Sequence, residues 1–530
     1  MEHHAAIVGS GLNGLVAACQ LARAGWKVTV YESSDTPGGA GQSAELFGTG
    51  LISDLGASVH PLSAASPAYD ALLPEDAFSW EHPGVPAAHA WGEHGDGTGE
   101  PVLLHNSLEK TAEGLGEDAS LWKLIFGPLT NNWEEVRQAV FTPPSRPFSR
   151  LPTPTRVANL ALRAAAFMQI GGTGIAPASQ LTRAFKTQEA RALFTGLAAH
   201  STGPLNQPLT SAFGVILATA AHTVGWPVVR GGTQRITDAL LAELDRLGGQ
   251  VVTGFRVEGI KDSPLPGLRF GIRKNLKRRG YRIEGTRADE RGRVRRTGEE
   301  VADVVVLNLT PKQVLKLRGL RLGERTERRM RHWDYGPGTV KIDYLVDGPI
   351  PWSSPQLAEA GTVHLGGSAA QITASEAAVN KGVLPGRPYV LLAQPSAADS
   401  SRTPDHRTVS WAYAHVPNGL DDAGTQRTVK MIEDEISRYA PEFRDAVLER
   451  RVWGPNELEE WNANLIGGSL TAGLGTLGQT FAGPASARQP YTTGIDGVYM
   501  CSASTPPGGG AHGMSGYNAA HAILKDTEIH

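Results

Sequence analysis

The sequence predicts an α/β fold with two domains, and three observations support this prediction. The chain has 530 residues, of which 40% are hydrophobic, so it can bury a core large enough for two domains. Its N-terminal residues follow the order strand, glycine-rich turn, helix, strand. Apolar strand patterns then recur far along the chain, in "VADVVVLNLTP" and "GVYMCSAS".

Composition excludes several classes of protein. The 50 Lys and Arg residues nearly balance the 53 Asp and Glu residues, so we expect no nucleic-acid partner. The two cysteines, Cys19 and Cys501, lie far apart in apolar contexts, which argues against a disulfide framework or a zinc site. The first apolar run lacks a signal-peptide pattern, and no uninterrupted run reaches the roughly 18 apolar residues of a membrane-spanning helix. We therefore expect a cytoplasmic protein.

The N-terminal stretch "AAIVGSGLNGLVAACQLARAGWKVTVYES" predicts a βαβ unit that binds a dinucleotide. Gly9 permits a tight turn, Gly11 lets the backbone approach a pyrophosphate, and Gly14 lets the helix pack closely on the strand. Glu32 ends the second strand, where its carboxylate accepts hydrogen bonds from ribose hydroxyls and repels a 2′-phosphate. The unit does not by itself separate FAD from NAD.

Six motifs, in the order of the chain, carry a resemblance to a known family. They are "IVGSGLNGLVAACQLARAGWKVTVYE", "PGGAGQSAE", "DLGASVHP", "GGTQRITDAL", "VVLNLTP" and "CSASTPPGGGAHGMSGYNAA". With them the chain resembles, over nearly its whole length, the FAD-dependent phytoene dehydrogenase-like oxidoreductases. These are relatives of carotenoid desaturases and, more distantly, of flavin amine oxidases. The resemblance implies FAD, bound non-covalently, as the cofactor.

The resemblance also implies which further residues bind FAD. The C-terminal glycine-rich segment would return to the first domain and run under the flavin, with a helix over "AHGMSGYNAAHAIL". Val257 resembles the residue whose backbone meets the adenine. Besides Gly9, Gly11, Gly14 and Glu32, the predicted cofactor-binding residues are Gly39, Gly56, Ala57, Ser58, Val257, Gly510, Met514 and Ser515.

The same resemblance predicts a discontinuous, glutathione-reductase-like FAD-binding domain of Rossmann type and a second α+β domain that binds the substrate. The predicted limits of the FAD domain are 1–70, 225–314 and 486–530. The substrate domain would take 71–224 and 315–485, with a helix over "TRVANLALRAAAFMQI" and strands over "GTVKIDYLVDG" and "VSWAYAHVP".

The predicted reaction removes two hydrogens from a carbon–carbon bond of an apolar, lipid-like or terpenoid-like small molecule. A hydride acceptor needs an aimed C–H bond and, where a proton also leaves, a base. The resemblance brings His60 and His512 near the flavin, so these are the candidate catalytic residues. We expect His512 to be neutral because it precedes a helix, whose positive end disfavours a second positive charge. Trp411, Tyr413 and His415 alternate along one strand face, which predicts either a cavity wall or plain core.

Three alternatives to desaturation remain open: flavin-dependent isomerisation, amine oxidation, and a catalytically silent flavin-fold protein that binds or scaffolds a partner. Related amine oxidases carry a lysine near the flavin. Counting without gaps from Gly338 to Trp352, that position falls on Ile342, and Lys341 would point to the opposite face. This departure argues against amine oxidation.

Three other sequence patterns give weaker evidence about function. Gly473, Gly475 and Gly478 fit GxGxxG, but no apolar strand precedes them, so we reject a second nucleotide site. The electrons would then leave to a diffusible acceptor such as dioxygen or a quinone. The histidines and glutamates of "WEHPGVPAAHAWGEHGDG" match no metal-binding spacing, so we expect no metal. The basic segment from Arg269 to Arg296 predicts a solvated hairpin or a peripheral membrane contact. The oligomeric state is left open.

Overall fold

A computed structural model describes residues 3–92, 99–143, 174–264, 279–288, 294–485 and 489–528. The predicted helix "TRVANLALRAAAFMQI" lies outside these residues, as do Glu93 and His94. In the part of the chain that is described, no helix has both the length and the apolar character to cross a membrane.

The strands alternate with helices for most of the chain. The strands are β1 His4–Val8, β2 Lys27–Tyr31, β3 Ser43–Ala44, β4 Ser53–Asp54, β5 Trp80–Glu81, β6 Val85–His89, β7 Val102–Leu104, β8 Val228–Val229, β9 Gln250–Val252, β10 Phe255–Pro264, β11 Arg279–Ala288, β12 Val294–Ala302, β13 Val304–Leu307, β14 Gly338–Val346, β15 Ala360–Leu365, β16 Val390–Ala393, β17 Thr408–Val416, β18 Val447–Trp453 and β19 Val498–Met500.

The helices have the following bounds. They are α1 Leu12–Arg23, α2 Pro61–Ala64, α3 Pro67–Leu72, α4 Leu108–Gly114, α5 Ala119–Asn131, α6 Trp133–Phe141, α7 Ala178–Ala184, α8 Gln188–Ala199, α9 Thr210–Ala221, α10 Gln234–Arg246, α11 Pro311–Val314, α12 Glu324–Arg331, α13 Ala369–Val379, α14 Pro395–Ala398, α15 Asp422–Tyr439, α16 Phe443–Ala446, α17 Pro455–Trp461, α18 Leu477–Ala482 and α19 Met514–Glu528.

The first sheet is parallel and has the strand order β19-β13-β1-β2-β9. Every residue of β1 and β13 is buried, as expected for parallel strands covered on both faces. Helix α1 packs against α10 and α19. The predicted βαβ unit is confirmed, since β1, α1 and β2 follow one another in the predicted order. The sheet draws on three distant stretches of chain, while the residue limits of the two domains stay a prediction.

The second sheet has the order β18-β14-β17-β16-β15-β6-β7, and its two faces differ in chemistry. On one face Val340 and Ile342 belong to an apolar core that includes Ile432 and Ile436 of α15. On the other face Lys341 alternates with them and is also buried. A sheet with one apolar and one polar buried face is suited to forming the wall of a binding site.

The C-terminal helix differs from the sequence-based expectation, and the basic segment is described only in part. The C-terminal helix begins at Met514 rather than Ala511, because Ala511 and Gly513 have positive φ angles of 56° and 69°. The basic segment contributes β11 and β12, which pair antiparallel with each other, and β11 also pairs with β10. Part of that segment lies outside the described residues, so its predicted membrane contact stays a prediction.

Candidate functional site

One large cavity lies between the two sheets and has a volume of about 1020 Å³. Two groups of residues line different parts of it. The glycine wall comprises Gly9, Gly11, Glu32, Gly39, Gly56, Ala57, Ser58, Val257 and Gly510. The sheet wall comprises Lys341, Thr362, Leu391, Trp411, Tyr413 and His415, all on the polar face of the second sheet. Trp411, Tyr413 and His415 therefore form a cavity wall, which was one of the two structures predicted for this strand face.

The glycines of the first turn meet steric requirements that the structure makes explicit. Gly9 has a φ angle of 97°, which is strained for a residue with a side chain. A Cβ on Gly14 would lie 2.1 Å from the carbonyl oxygen of Gly9, so only glycine lets α1 pack this closely on β1. Gly11 lines the cavity, and its φ angle of −61° is one that residues with a side chain also adopt. The absence of a side chain at Gly11 therefore keeps this part of the cavity open.

Glu32 lies at the end of β2 and closes the turn. Its Oε2 accepts hydrogen bonds from the backbone N–H and the Oγ of Ser10, at 2.8 and 2.7 Å. Its Oε1 accepts one from the backbone N–H of Ser34 at 2.8 Å and one from the Oγ of Ser33 at 3.2 Å. A carboxylate has about four acceptor positions, so a ligand hydroxyl would have to replace one of these four bonds, and the exposed Ser33 makes the longest of them.

Asn308, which sequence reasoning missed, supports the same turn. Its Nδ2 donates to the carbonyl oxygens of Gly9 and Gly11, each at 3.3 Å. Asn308 follows β13 directly and lines the cavity. The available signal was one polar residue within the apolar run "VVLNLTP". Asn308 thus joins the end of β13 to the glycine turn of β1.

The loop before the "DLGASVHP" motif passes close to the glycine turn. A Cβ on Gly39 would lie 3.2 Å from the Cα of Gly11, and one on Gly56 would lie 2.4 Å from the carbonyl oxygen of Ala40. The backbone N–H of Ala57 donates to that same oxygen at 2.9 Å. These backbone contacts bring Gly39, Gly56, Ala57 and Ser58 to the cavity, and their binding of a cofactor stays a prediction.

The C-terminal loop returns to the first sheet and divides the predicted residues. Gly510 lines the cavity, with a φ angle of 138°. Met514 and Ser515 are buried and are not among the lining residues. Ser515 donates its hydroxyl to the carbonyl oxygen of Thr505 at 3.0 Å, which ties the start of α19 to the preceding loop. Direct contact of these two residues with a cofactor stays a prediction.

His512 lines the cavity, and one nitrogen of its ring is bonded to the protein backbone. The N–H of Met514 donates to its Nδ1 at 3.0 Å. Burial lowers the pKa of His512 to about 4, although hydrogen bonds with the backbone of Gly509 and Gly508 act in the opposite direction. The ring is therefore neutral, as expected, but burial is the cause. With Nδ1 accepting, the proton of the neutral ring resides on Nε2.

His60 is buried and is not among the lining residues. Its Nδ1 lies 3.1 Å from the Oγ of Ser63, and its Nε2 lies 2.8 Å from the Oγ1 of Thr233. Burial lowers the pKa of His60 to about 4, against the opposing effect of Asp54. Both nitrogens are thus engaged in holding the loop after β4. Its catalytic role stays a prediction that this arrangement does not favour.

The expected orientation of Lys341 is wrong. Ile342 packs in the apolar core, and Lys341 faces the cavity. An ungapped count cannot detect a shift of one residue in the turn before β14, and such a shift exchanges the faces of a strand. The Nζ of Lys341 donates to the Asp343 carboxylate at 2.6 and 2.7 Å and to the carbonyl oxygen of Asp54 at 3.0 Å. The argument against amine oxidation from this position therefore falls away.

Asp54 joins the two walls through a buried ion pair. Its Oδ2 lies 2.7 Å from Nη1 of Arg402, and neither side chain is exposed. Burial alone would raise the pKa of Asp54, but Arg402 and hydrogen bonds from Ser43, Ser58 and Thr233 lower it to about 2. Asp54 is therefore ionised across the physiological range.

Among the described residues, no group of three or more His, Cys, Asp and Glu side chains is arranged to hold a metal ion. The glycine motif at Gly473 has no strand before it, and α18 after it is short. Gly473 and Gly475 nevertheless line the cavity. They belong to the one cavity already described rather than to a second dinucleotide site.

Comparisons with known proteins agree with this geometry. Residues 7–73 match a family described as the NAD(P)-binding Rossmann-like domain. A rat protein, pyridine nucleotide-disulfide oxidoreductase domain-containing protein 2, is 27% identical over 354 residues, which are 62% of this chain and 57% of that protein. The 1-hydroxycarotenoid 3,4-desaturase of a Flavobacterium species is 34% identical over 110 residues, 21% of this chain and 22% of the desaturase.

The solved structure of putrescine oxidase with bound putrescine covers 100% of this chain and of its own, with a TM-score of 0.60 and 15% identity. That likeness shows the fold. The sequence match spans 57% of the rat relative, less than two thirds of its length. The α/β fold class with a Rossmann-type dinucleotide-binding domain is thus confirmed, and the chain is similar in sequence and in fold to known oxidoreductases.

Proposed function

We propose that this protein is an oxidoreductase that binds FAD non-covalently along the glycine wall and removes two hydrogens from a carbon–carbon bond of an apolar small molecule. The observation that carries the proposal is the continuous cavity, which extends from the nucleotide-type turn at Glu32 to an apolar region. That region is lined by Leu209, Phe213, Ile216, Leu217 and Trp226.

The residues present fit the proposed cofactor. Gly11 and Gly39 leave backbone rather than side chains beside the cavity, as a pyrophosphate requires. The side-chain Oδ1 of Asn13, in the first turn of α1, is buried without a partner and belongs to a lining residue. Bound FAD would supply two-electron oxidation of the substrate. The chain itself would bind and orient the substrate and exclude water.

Both cysteines support non-covalent attachment. Cys19 and Cys501 are buried, and neither lines the cavity. Burial raises the pKa of Cys19 to about 12 and raises that of Cys501 as well. A buried, protonated thiol is a poor nucleophile. We therefore expect heat or acid to release intact FAD.

The test begins with purified protein. We expect a yellow protein with one FAD per chain, released intact on denaturation, together with an apolar molecule that mass spectrometry of the organic extract identifies. Anaerobic addition of that molecule should bleach the flavin absorbance, and a product lighter by two hydrogens should appear. Dioxygen or a quinone should restore the colour. A protein that binds FAD but reacts with no lipid, terpenoid or quinone would favour the scaffold alternative.

Amine oxidation is the second candidate, favoured by the position of Lys341 on the cavity face and by the fold that the chain shares with putrescine oxidase. The pairing of Lys341 with Asp343 speaks for a structural role of that lysine. Peroxide formation with simple primary amines would support amine oxidation. Isomerisation predicts instead a product of unchanged mass that forms only when the flavin has been reduced.

A further inference from the structure

Buried polar atoms without a hydrogen-bond partner are concentrated on the side of the cavity that includes the sheet wall. Buried polar side chains in folded proteins nearly always have hydrogen-bond partners, and an exception calls for a cause such as a missing ligand or water. Six lining residues on this side carry a buried side-chain N or O atom without one: Ser201, Thr202, Thr362, Trp411, His415 and Thr471. This side of the cavity therefore has polar capacity that the protein itself does not use.

His415 has the most defined geometry of these residues. It lies on β17, and its Nδ1 is 2.8 Å from Oε2 of Glu376 on α13. Both side chains are at least nine-tenths buried, with exposed fractions of 2% and 0%. A carboxylate oxygen accepts hydrogen bonds. Glu376 therefore accepts one from Nδ1–H of His415 and fixes the orientation of the ring. Nε2 is left as the atom that a ligand can use.

Other histidines near the cavity differ from His415 in this respect. His60 bonds through both ring nitrogens, and the Nδ1 of His512 accepts from the backbone N–H of Met514 instead of facing a carboxylate. His200 lines the cavity, but its Nε2 is 3.0 Å from Nε2 of His364. Among the described histidines that line the cavity, His415 alone combines a carboxylate partner with an unpartnered nitrogen.

The surroundings of His415 are otherwise suited to an apolar molecule. The rings of Tyr413 and Trp411 continue along the same strand face, with centroid separations of 5.4 Å from His415 to Tyr413 and 5.8 Å from Tyr413 to Trp411. Leu391 lies beside Tyr413 on the neighbouring strand and also lines the cavity. A ligand along this face meets mainly carbon surface, with polar atoms at a few points.

We propose that His415, oriented by Glu376, binds a hydroxyl group carried by an otherwise apolar substrate. A hydroxyl donates to Nε2 when the ring is neutral and accepts from Nε2–H when the ring is protonated, so it satisfies this nitrogen in either state. A carbonyl group accepts only, and an ammonium group donates only. The inference rests on the proposed function, because it names the substrate class of the same cavity.

The test compares three probes of ten-carbon terpenoid skeleton on the purified holoprotein. They are geraniol, which carries a hydroxyl, myrcene, a hydrocarbon, and geranylamine, which carries an amine. Equilibrium dialysis with chromatographic quantification measures each dissociation constant without any need for turnover. We expect geraniol to bind about 10-fold more tightly than myrcene, as a single buried hydrogen bond supplies.

Two variants and one control locate that preference. His415→Phe keeps an aromatic ring and removes Nε2, so the ratio of the two affinities should fall to near one while myrcene binding persists. Glu376→Gln keeps the volume and removes the charge that orients His415, so the ratio should fall at least about 3-fold. His406→Phe is the matched control, because His406 also pairs with a carboxylate, Asp347, but on the exposed surface. This variant should keep the wild-type ratio.

Each failure has its own meaning. Equal binding of geraniol and myrcene by the wild type overturns the hydroxyl site and leaves the apolar cavity intact, with water as the partner of His415. A ratio that persists in both His415→Phe and Glu376→Gln overturns it too. Tighter binding of geranylamine than of geraniol overturns it in favour of a cationic group. Binding of none of the three probes counts against the proposed apolar substrate and removes this inference with it.

Discussion

The two walls of the cavity differ in which atoms make their main contacts. In the glycine wall the decisive contacts are close approaches of the backbone, such as the 2.4 Å that would separate a Cβ on Gly56 from the carbonyl oxygen of Ala40. In the sheet wall they are between side chains, such as His415 with Glu376 and Lys341 with Asp343. Backbone contacts tolerate no substitution, whereas side chains on one strand face can change while the strand stays. Under the proposed function, we therefore expect the glycine wall to define the cofactor and the sheet wall to select the substrate.

The largest expected effect comes from filling the glycine wall. Gly11→Val should abolish FAD binding, because the side chain would occupy the space of the pyrophosphate. The fold should survive, since valine tolerates the φ angle of −61° at Gly11 and the nearest atom to a Cβ there, the Nδ2 of Asn308 at 3.0 Å, belongs to a side chain that can move. The measurement is FAD content per chain after denaturation, with circular dichroism as the check on folding.

Gly478→Val serves as the control for this change, because a Cβ at Gly478 meets no atom within 4 Å. It should retain FAD in full. A folded Gly11→Val protein with a normal FAD content would remove the assignment of this wall to a dinucleotide.

The junction between the walls should show the next largest effect. Asp54→Ala leaves the fully buried Arg402 without its main partner, and breaking such a pair costs about 3–5 kcal/mol of unfolding free energy. Asp347→Ala removes a carboxylate that is 58% exposed and pairs with His406, so its cost should stay within about 0.5 kcal/mol. Urea unfolding of both variants measures the contrast, and equal costs would mean that the Asp54–Arg402 pair does not hold the walls together.

A third experiment separates catalysis from support at the two predicted catalytic histidines. Because the buried His512 ring holds the backbone through the bond from Met514 N–H to Nδ1, we expect His512→Ala to lower FAD retention and to change the oxidation rate per bound flavin by less than about 10-fold. A general base would contribute about 100-fold or more. The rate is measured by anaerobic stopped-flow with the substrate identified from the purified protein.

His60→Ala is the paired variant, since both nitrogens of His60 are hydrogen-bonded and His60 does not line the cavity. It too should retain most of the rate. A loss of 100-fold in either variant, with FAD still bound, would make that histidine the base after all. Parent rates in both would leave orientation of the substrate as the main contribution of the protein.

The sequence predicted the glycine wall far better than the sheet wall, for a physical reason. The unit from Gly9 to Glu32 is local in the chain. At Gly9 and Gly14 only glycine fits, so the spacing of the glycines in the sequence reveals the turn. The pairing of His415 with Glu376 spans 39 positions and follows no spacing rule. The strand pattern around Lys341 predicted the alternation of faces but not which face meets the cavity, because that depends on the offset of β14 against its neighbours.

The smallest predicted effect is a pH dependence at the junction of the two walls. Because the pKa of Asp54 is lowered from 3.8 to about 2 in the folded protein, its ionisation stabilises the fold fully above pH 3.8, and this contribution is lost as the pH falls toward 2. The shift is worth about 2 kcal/mol, and about half of it should be lost by pH 3. Other carboxylates also titrate in this range, so the informative quantity is the difference between the wild type and Asp54→Asn, which lacks this titration. Unfolding free energies from urea titrations should show that difference shrinking by about 1 kcal/mol between pH 6 and pH 3. A difference that stays constant would mean that Asp54 titrates alike in the folded and unfolded chain, and that Arg402 stabilises the junction by its other bonds, to the carbonyl oxygen of Val229 and the carboxylate of Asp399.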